Sequence, residues 1–100
     1  MTRPTEGSDW SLYVLRCGDG SLYTGISPAV AARLEAHRAG RGRRYLRGRE
    51  PLELMAEVSV GDRAAASRAE YRFKQLTRRD KLRLLEQGFV AFVESAAVAA

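Results

Sequence analysis

Two short runs, Ser11–Cys17 (SLYVLRC) and Ser21–Ile26 (SLYTGI), stand on either side of Gly18-Asp19-Gly20. Both are apolar and supplied with tyrosine and β-branched residues, and the segment between them is a turn former, so together they predict a β-hairpin. Its register is bounded but open: Tyr13 falls opposite a position between Tyr23 and Gly25. A slip of one residue would send the two tyrosines to opposite faces. A chain of 100 residues built on such a hairpin has room for one domain and a modest core.

The remaining segments supply helices and one more strand. Ser27-Pro28 reads as a helix start, with serine as N-cap and proline at the first helical position, and this helix is expected to end at Gly40. Residues Arg41–Arg49 form a loop rich in glycine and arginine. Leu52–Val60, apolar with Glu53 and Glu57 at intervals, suits a third strand, with a helix as the alternative. Gly61-Asp62 begins another helix that places Ala65, Ala69, Phe73 and Leu76 at helical spacing. Thr77-Arg78-Arg79-Asp80 is a capping box opening a short helix, Arg78–Glu86, with Leu82 and Leu85 inward. Residues 1–9 read as a flexible leader, 10–86 as the domain and 87–100 as an Ala-rich tail that either packs as an extra element or frays. The order β-β-α-β-α-α predicts an α+β fold, a three-stranded sheet with helices packed against it.

Composition removes several classes of function. Cys17 is the only cysteine and His37 the only histidine, so an internal disulfide, a Cys-based zinc cluster and a His₂ or His₃ metal site cannot form within one chain. Cys17 itself reads as a small buried hydrophobe at a strand end. No G-x-S-x-G stretch supports a serine hydrolase. The N-terminal residues carry no apolar signal core, and no run reaches the roughly 18 apolar residues that span a bilayer, so the expected location is the cytoplasm and no membrane partner is expected.

The charge balance points to nucleic acid. Seventeen Lys+Arg oppose twelve Asp+Glu for a net +5. Arg38, Arg41, Arg43, Arg44, Arg47 and Arg49 lie together with no acid among them, and Tyr45 interleaves a ring on which an unpaired base can stack. Gly40, Gly42 and Gly48 would let that backbone approach a ligand. Arginines on phosphates give salt-sensitive, sequence-indifferent affinity; otherwise the run is only a solvated loop.

Three other features could carry chemistry. Val30, Arg33, Leu34 and His37 share one helical stripe, so Arg33 and His37 either address one phosphate together or merely cover apolar surface. Glu70 either pairs with Lys74 one turn on or offers a hard oxygen ligand to Mg²⁺. Tyr13 and Tyr23 are ordinary strand formers, unless nearby cations or a metal lower a phenol enough for it to act as a base.

Together these stretches resemble the GIY-YIG nuclease superfamily, most closely its small stand-alone, YhbQ-like group, from about Trp10 to Leu85. The first motif falls on Ser11-Leu12-Tyr13 and keeps only its tyrosine. The second falls on Tyr23-Thr24-Gly25. The Arg-x-x-x-His pattern matches Arg33 and His37, and the metal-binding glutamate matches Glu70 in Ala69-Glu70-Tyr71. Asp19–Ile26, Gly61-Asp62-Arg63 and Arg68–Tyr71 look like the stand-alone group. The resemblance implies a three-stranded antiparallel sheet flanked by helices. It also implies DNA phosphodiester hydrolysis dependent on a single Mg²⁺ or Mn²⁺ held by Glu70, in a setting of DNA repair or processing. Tyr13 would activate a water or relay its proton, Arg33 would neutralise developing charge, and Tyr23 and His37 would orient these groups or assist proton transfer. The chain contains no asparagine, so the family's late Asn has no counterpart. Binding would fall to the Arg38–Arg49 loop or to a protein partner that supplies specificity.

The expected function is therefore an endonuclease acting on DNA rather than RNA, selecting branched, damaged or single-stranded structures rather than a sequence. The alternatives are a catalytically silent nucleic-acid-binding module that uses the Arg38–Arg49 loop, and an interaction protein whose basic loop meets an acidic surface.

Overall fold

Leu12, Tyr13, Val14 and Leu15 are all buried, the pattern of a strand covered on both faces. The computed structural model, which describes residues 9–42 and 44–99, places this strand, β1 (Trp10–Arg16), at the centre of a three-stranded sheet. β2 (Leu22–Ser27) and β3 (Glu53–Gly61) flank it, both antiparallel, in the order β2-β1-β3. The expected α+β architecture is present, and Leu52–Val60 resolves as strand rather than helix.

On one face Leu12 and Val14 meet Ala69 and Phe73 of α2 (Arg63–Lys74) and Phe89, Val93 and Ala96 of α4 (Phe89–Ala96). On the other, Tyr13, Leu15 and Cys17 meet Val30 and Leu34 of α1 (Val30–Arg38), together with Leu46 and Leu52. The short helix α3 (Arg78–Glu86) reaches the first core through Leu84 and Leu85 instead of the expected Leu82 and Leu85. The tail thus forms a seventh element, and its apolar residues complete a core. No described helix is long and apolar enough to cross a membrane. The leader lies outside the described residues except for Asp9, whose carboxylate accepts from Ser59 Oγ at 3.3 Å.

Local signals set most boundaries. Asp62 caps α2 by accepting the Ala65 N–H, and Thr77 caps α3 by accepting that of Asp80. The predicted start of α1 is displaced. Ser27 pairs with Ser11 in the sheet and its hydroxyl accepts the Ala29 N–H at 2.9 Å, so Ser27-Pro28 makes a turn and the helix begins at Val30. In α2 the buried stripe is Ala66, Ala69 and Phe73 rather than one beginning at Ala65, since a run of alanines leaves the phase to packing.

The hairpin turn is tied to the loop that precedes β3. Gly18 N–H donates to Arg49 O at 2.6 Å, and the Arg49 guanidinium pairs with the Asp19 carboxylate. Asp19 also accepts from the Ser21 hydroxyl and backbone N–H. The Ser21 bonds first, and Arg49 after them, lower the Asp19 carboxyl from 3.8 to about 2. Because the folded value is the depressed one, the stabilisation is complete above the ordinary carboxylate range and is lost as pH falls through about 2. A carboxyl carbon NMR titration is expected to place the Asp19 midpoint there, and Ser21→Ala to raise it more than Arg49→Ala does. The opposite ranking would make the arginine the main cause.

Candidate active site

Elements from both sheet faces meet along the outer strand β2. The register sets Tyr13 opposite Gly25 and Leu15 opposite Tyr23, so both tyrosines point to the same side, their ring centroids 6.3 Å apart. Gly25 is required here: a Cβ would sit 2.7 Å from the Tyr13 hydroxyl oxygen and 2.8 Å from Cζ. The phenol of Tyr13 therefore lies across the β2 backbone at a position only glycine leaves open.

Behind that ring stands His37, whose Nε2 is 3.2 Å from the Tyr13 hydroxyl. Tyr13 is 0% and His37 2% exposed, so this polar pair is buried. Tyr23, half-buried, presents itself edge-on to the imidazole at 6.0 Å between centroids. The backbone of Gly42 closes over the same imidazole, and a Cβ there would fall 1.7 Å from Nδ1. Gly42 therefore makes room for a side chain of its own chain, in place of the ligand approach expected from the sequence. Gly42→Ala is expected to cost about 1–3 kcal/mol through overpacking, a fall in Tm of roughly 4–8 °C per kcal/mol in a domain this small. A melting point within a degree of the wild type would show that the loop yields freely.

A cleft of about 160 Å³ opens in front of these rings, lined by Tyr13, Tyr23, Gly25, Ile26, Arg33, Arg63, Ser67 and Glu70. Four of the five sequence candidates line it, and His37 supports it from behind. Arg33, on α1, also borders a second hollow of about 230 Å³ with Ala36, His37, Arg41 and Gly42. Arg63 and Ser67 escaped the sequence reading, although Arg63, Ser67 and Glu70 follow the i, i+4, i+7 spacing of one helical stripe. The Arg63 guanidinium is held 5.2 Å above the Trp10 ring.

Glu70 is the only carboxylate among the lining residues, and its Oε2 lies 3.1 Å from Lys74 Nζ. Glu70 thus pairs with Lys74, the first of its two sequence readings, and also lines the cleft. Among the described residues no three His, Cys, Asp or Glu side chains gather as a metal cluster. The donors present are all oxygens, namely one carboxylate, one aliphatic hydroxyl and two phenols. That set suits a hard cation such as Mg²⁺, which commonly takes one or two carboxylates and completes its octahedron with waters and substrate phosphate.

The arginine loop divides by role. Arg38 donates to Leu52 O at 3.0 Å, and Arg49 donates to Tyr45 O at 2.6 Å while pairing with Asp19, so both anchor the loop to its surroundings. Arg41 faces the hollow beside His37, whereas Arg44 and Arg47 are exposed. Arg43 lies outside the described residues. Tyr45, 44% exposed, is stacked on Tyr23 at 5.8 Å and has the Arg49 guanidinium 4.2 Å from its ring centroid.

The family described as the GIY-YIG catalytic domain matches residues 9–83. The chain is 49% identical over 81 residues to the UPF0213 protein YhbQ of Escherichia coli O1:K1, covering 81% of each, and 49% identical over 79 residues to that of strain K12. Solution NMR structures of two further proteins resemble it. One is the UPF0213 protein BH0048 of Bacillus halodurans, with TM-score 0.54 and 34% identity, covering 92% of this chain and 98% of that one. The other is EF2693 of E. faecalis, with TM-score 0.59 and 33% identity, covering 82% and 88%. By that match and those relatives the chain belongs to the GIY-YIG family, and so to a nuclease superfamily.

Proposed function

We propose that the protein is a divalent-metal-dependent endonuclease that hydrolyses phosphodiester bonds in DNA. The observation that carries this reading is the single cleft in which two arginines, one carboxylate and two phenols converge. Its volume of about 160 Å³ suits one phosphodiester with a few waters, each occupying about 30 Å³.

Arg33 and Arg63 would hold the phosphate from α1 and α2 and oppose the charge that grows on its non-bridging oxygens. As an incoming water forms its bond to phosphorus, its proton passes to the Tyr13 oxygen while the Tyr13 proton moves to Nε2 of His37. This relay fits a buried phenol already within hydrogen-bond distance of an imidazole, and it calls for a neutral His37 protonated on Nδ1. Tyr23, the more exposed phenol, orients the water. Glu70 would hold the metal ion, with Ser67 beside it, and the ion when bound supplies Lewis-acid stabilisation of the departing oxygen. The bond from phosphorus to that oxygen breaks, and solvent returns a proton to it.

The test is cleavage of duplex, nicked, flap and single-stranded substrates with Mg²⁺, with Mn²⁺ and with chelator. Cutting of at least one structure only when metal is present supports the reading. Binding without cleavage under any metal would leave a silent nucleic-acid-binding module. Tyr13→Phe should keep the fold and lose about 10²–10⁴-fold in rate, the range for a removed proton-transfer group. Wild-type rates in that variant would take Tyr13 out of the chemistry.

A further inference from the structure

Of the two hollows that share Arg33, the larger takes no part in the chemistry above. It measures about 230 Å³ and is lined by Arg33, Ala36, His37, Arg41 and Gly42. No acid stands among those residues, and two of them carry a guanidinium. The buried His37 ring forms its floor, with the Gly42 backbone lying over that ring.

The two cations are set in place by the chain itself. Arg33 and Ala36 are three residues apart on α1 and so share one side of it. Arg41 lies beyond the helix, yet the Gly40 and Arg41 N–H groups donate to the His37 and Ala36 carbonyls at 3.0 and 2.8 Å. These two bonds are the Schellman closure of a helix, and they fix the Arg41 backbone against the last turn of α1. Among the described residues neither guanidinium pairs with a carboxylate, whereas Arg49 pairs with Asp19 and Arg83 with Asp80. Planar guanidinium forks match phosphate oxygens, and a hollow of this size admits one phosphate with a few waters of about 30 Å³ each. Arg33 lines both spaces, so a group held here lies next to whatever the cleft holds.

The geometry points to a second phosphate site: the hollow holds, between Arg33 and Arg41, the backbone phosphate next to the scissile one on the same strand. Resting on the nuclease reading of the cleft, this fixes the strand at two consecutive phosphates. The scissile linkage is then aligned by its neighbour as well as by its own contacts. No base takes part, so the site is indifferent to sequence.

The experiment measures DNA binding in chelator against salt concentration, which counts engaged phosphates without requiring cleavage. The probe is a short duplex without terminal phosphates, so every anion it offers is a diester linkage. Arg41→Gln removes a cation, whereas Ala36→Leu fills the hollow and changes no charge. Each is expected to lower the slope of log Kd against log salt by about 0.9, the share of one phosphate. Arg41→Lys should keep most of the wild-type slope. A wild-type slope in either Arg41→Gln or Ala36→Leu overturns the site. So does a difference that arises only once a terminal phosphate is added, since a strand end would then occupy the hollow. Cleavage in Mg²⁺ tests adjacency: one neutral methylphosphonate linkage should suppress cutting at the next linkage on one side, and Arg41→Gln should erase that effect. No suppression at a neighbouring linkage, or suppression that Arg41→Gln leaves intact, overturns the pairing of the two phosphates. If the slopes fall as stated while no substrate is ever cut, the phosphate site stands and the nuclease reading fails.

Discussion

Alanine in place of Glu70 is expected to remove metal-dependent cleavage while leaving salt-sensitive nucleic-acid binding. Glu70 is the one carboxylate lining the cleft among the described residues, so none of them offers a second acid there to take over the ion. A metal ion's stabilisation of transition-state charge is worth several kcal/mol, so the loss is on the order of a thousandfold in rate or greater. The fold should survive, because Glu70 pairs with Lys74, half exposed and one turn along the same helix. Such a pair contributes a few tenths of a kcal/mol. Glu70→Gln separates charge from shape: it keeps the side-chain volume and should be nearly as inactive as alanine. Arg33→Ala offers a contrast, with slow cleavage that still requires metal. Single-turnover rates in Mg²⁺, beside the melting temperature of each variant, decide the matter. Wild-type cleavage by Glu70→Ala would mean that the hydrolysis comes from elsewhere.

The fold and the cleft were legible in the sequence to different depths. The hairpin was clear because its turn is local, and the register ambiguity had an unread answer in Gly25. A glycine in mid-strand marks a close approach, here the Tyr13 ring. Arg33 and His37 were visible as a stripe, but spacing could not show that the imidazole turns inward onto a phenol from another element. Arg63 and Ser67 carry no motif of their own, and only the polar stripe that runs from Glu70 along α2 toward its N-terminus marks them. The arginine loop holds cations of two kinds. Composition counts Arg38 and Arg49 with the rest, whereas the structure engages both in holding the loop to Leu52, Asp19 and Tyr45. Only tertiary partners distinguish a cation free for phosphate from one already occupied.

The Ala-rich tail shows the same limit in a form that can be measured. Its period was indecisive because alanine helices carry little pattern, so packing alone decides whether α4 exists. In the structure Phe89, Val93 and Ala96 are buried against Phe73, whose ring meets Phe89 and Phe92 edge-on at 5.6 and 6.0 Å. Arg68 and Arg72 of α2 donate to the carbonyls of Ala97, Ala96 and Val98 at 2.7–3.0 Å. Ending the chain after Gln87 removes all of this and uncovers Phe73. Burial of large apolar side chains is worth about 1.5–3 kcal/mol each, so the loss is about 5 kcal/mol or more. Total stability for a domain of this size is about 5–15 kcal/mol. The truncated chain should therefore lack a cooperative thermal transition by circular dichroism, or melt far below the full chain. Since Glu70, Arg63 and Ser67 ride on α2 beside the stripe that α4 covers, cleavage should vanish with it. Removing only the last two residues should change neither. A truncated chain that melts within a few degrees of the intact one would show that α2 is held by the sheet alone, and that the final helix adds surface without stability.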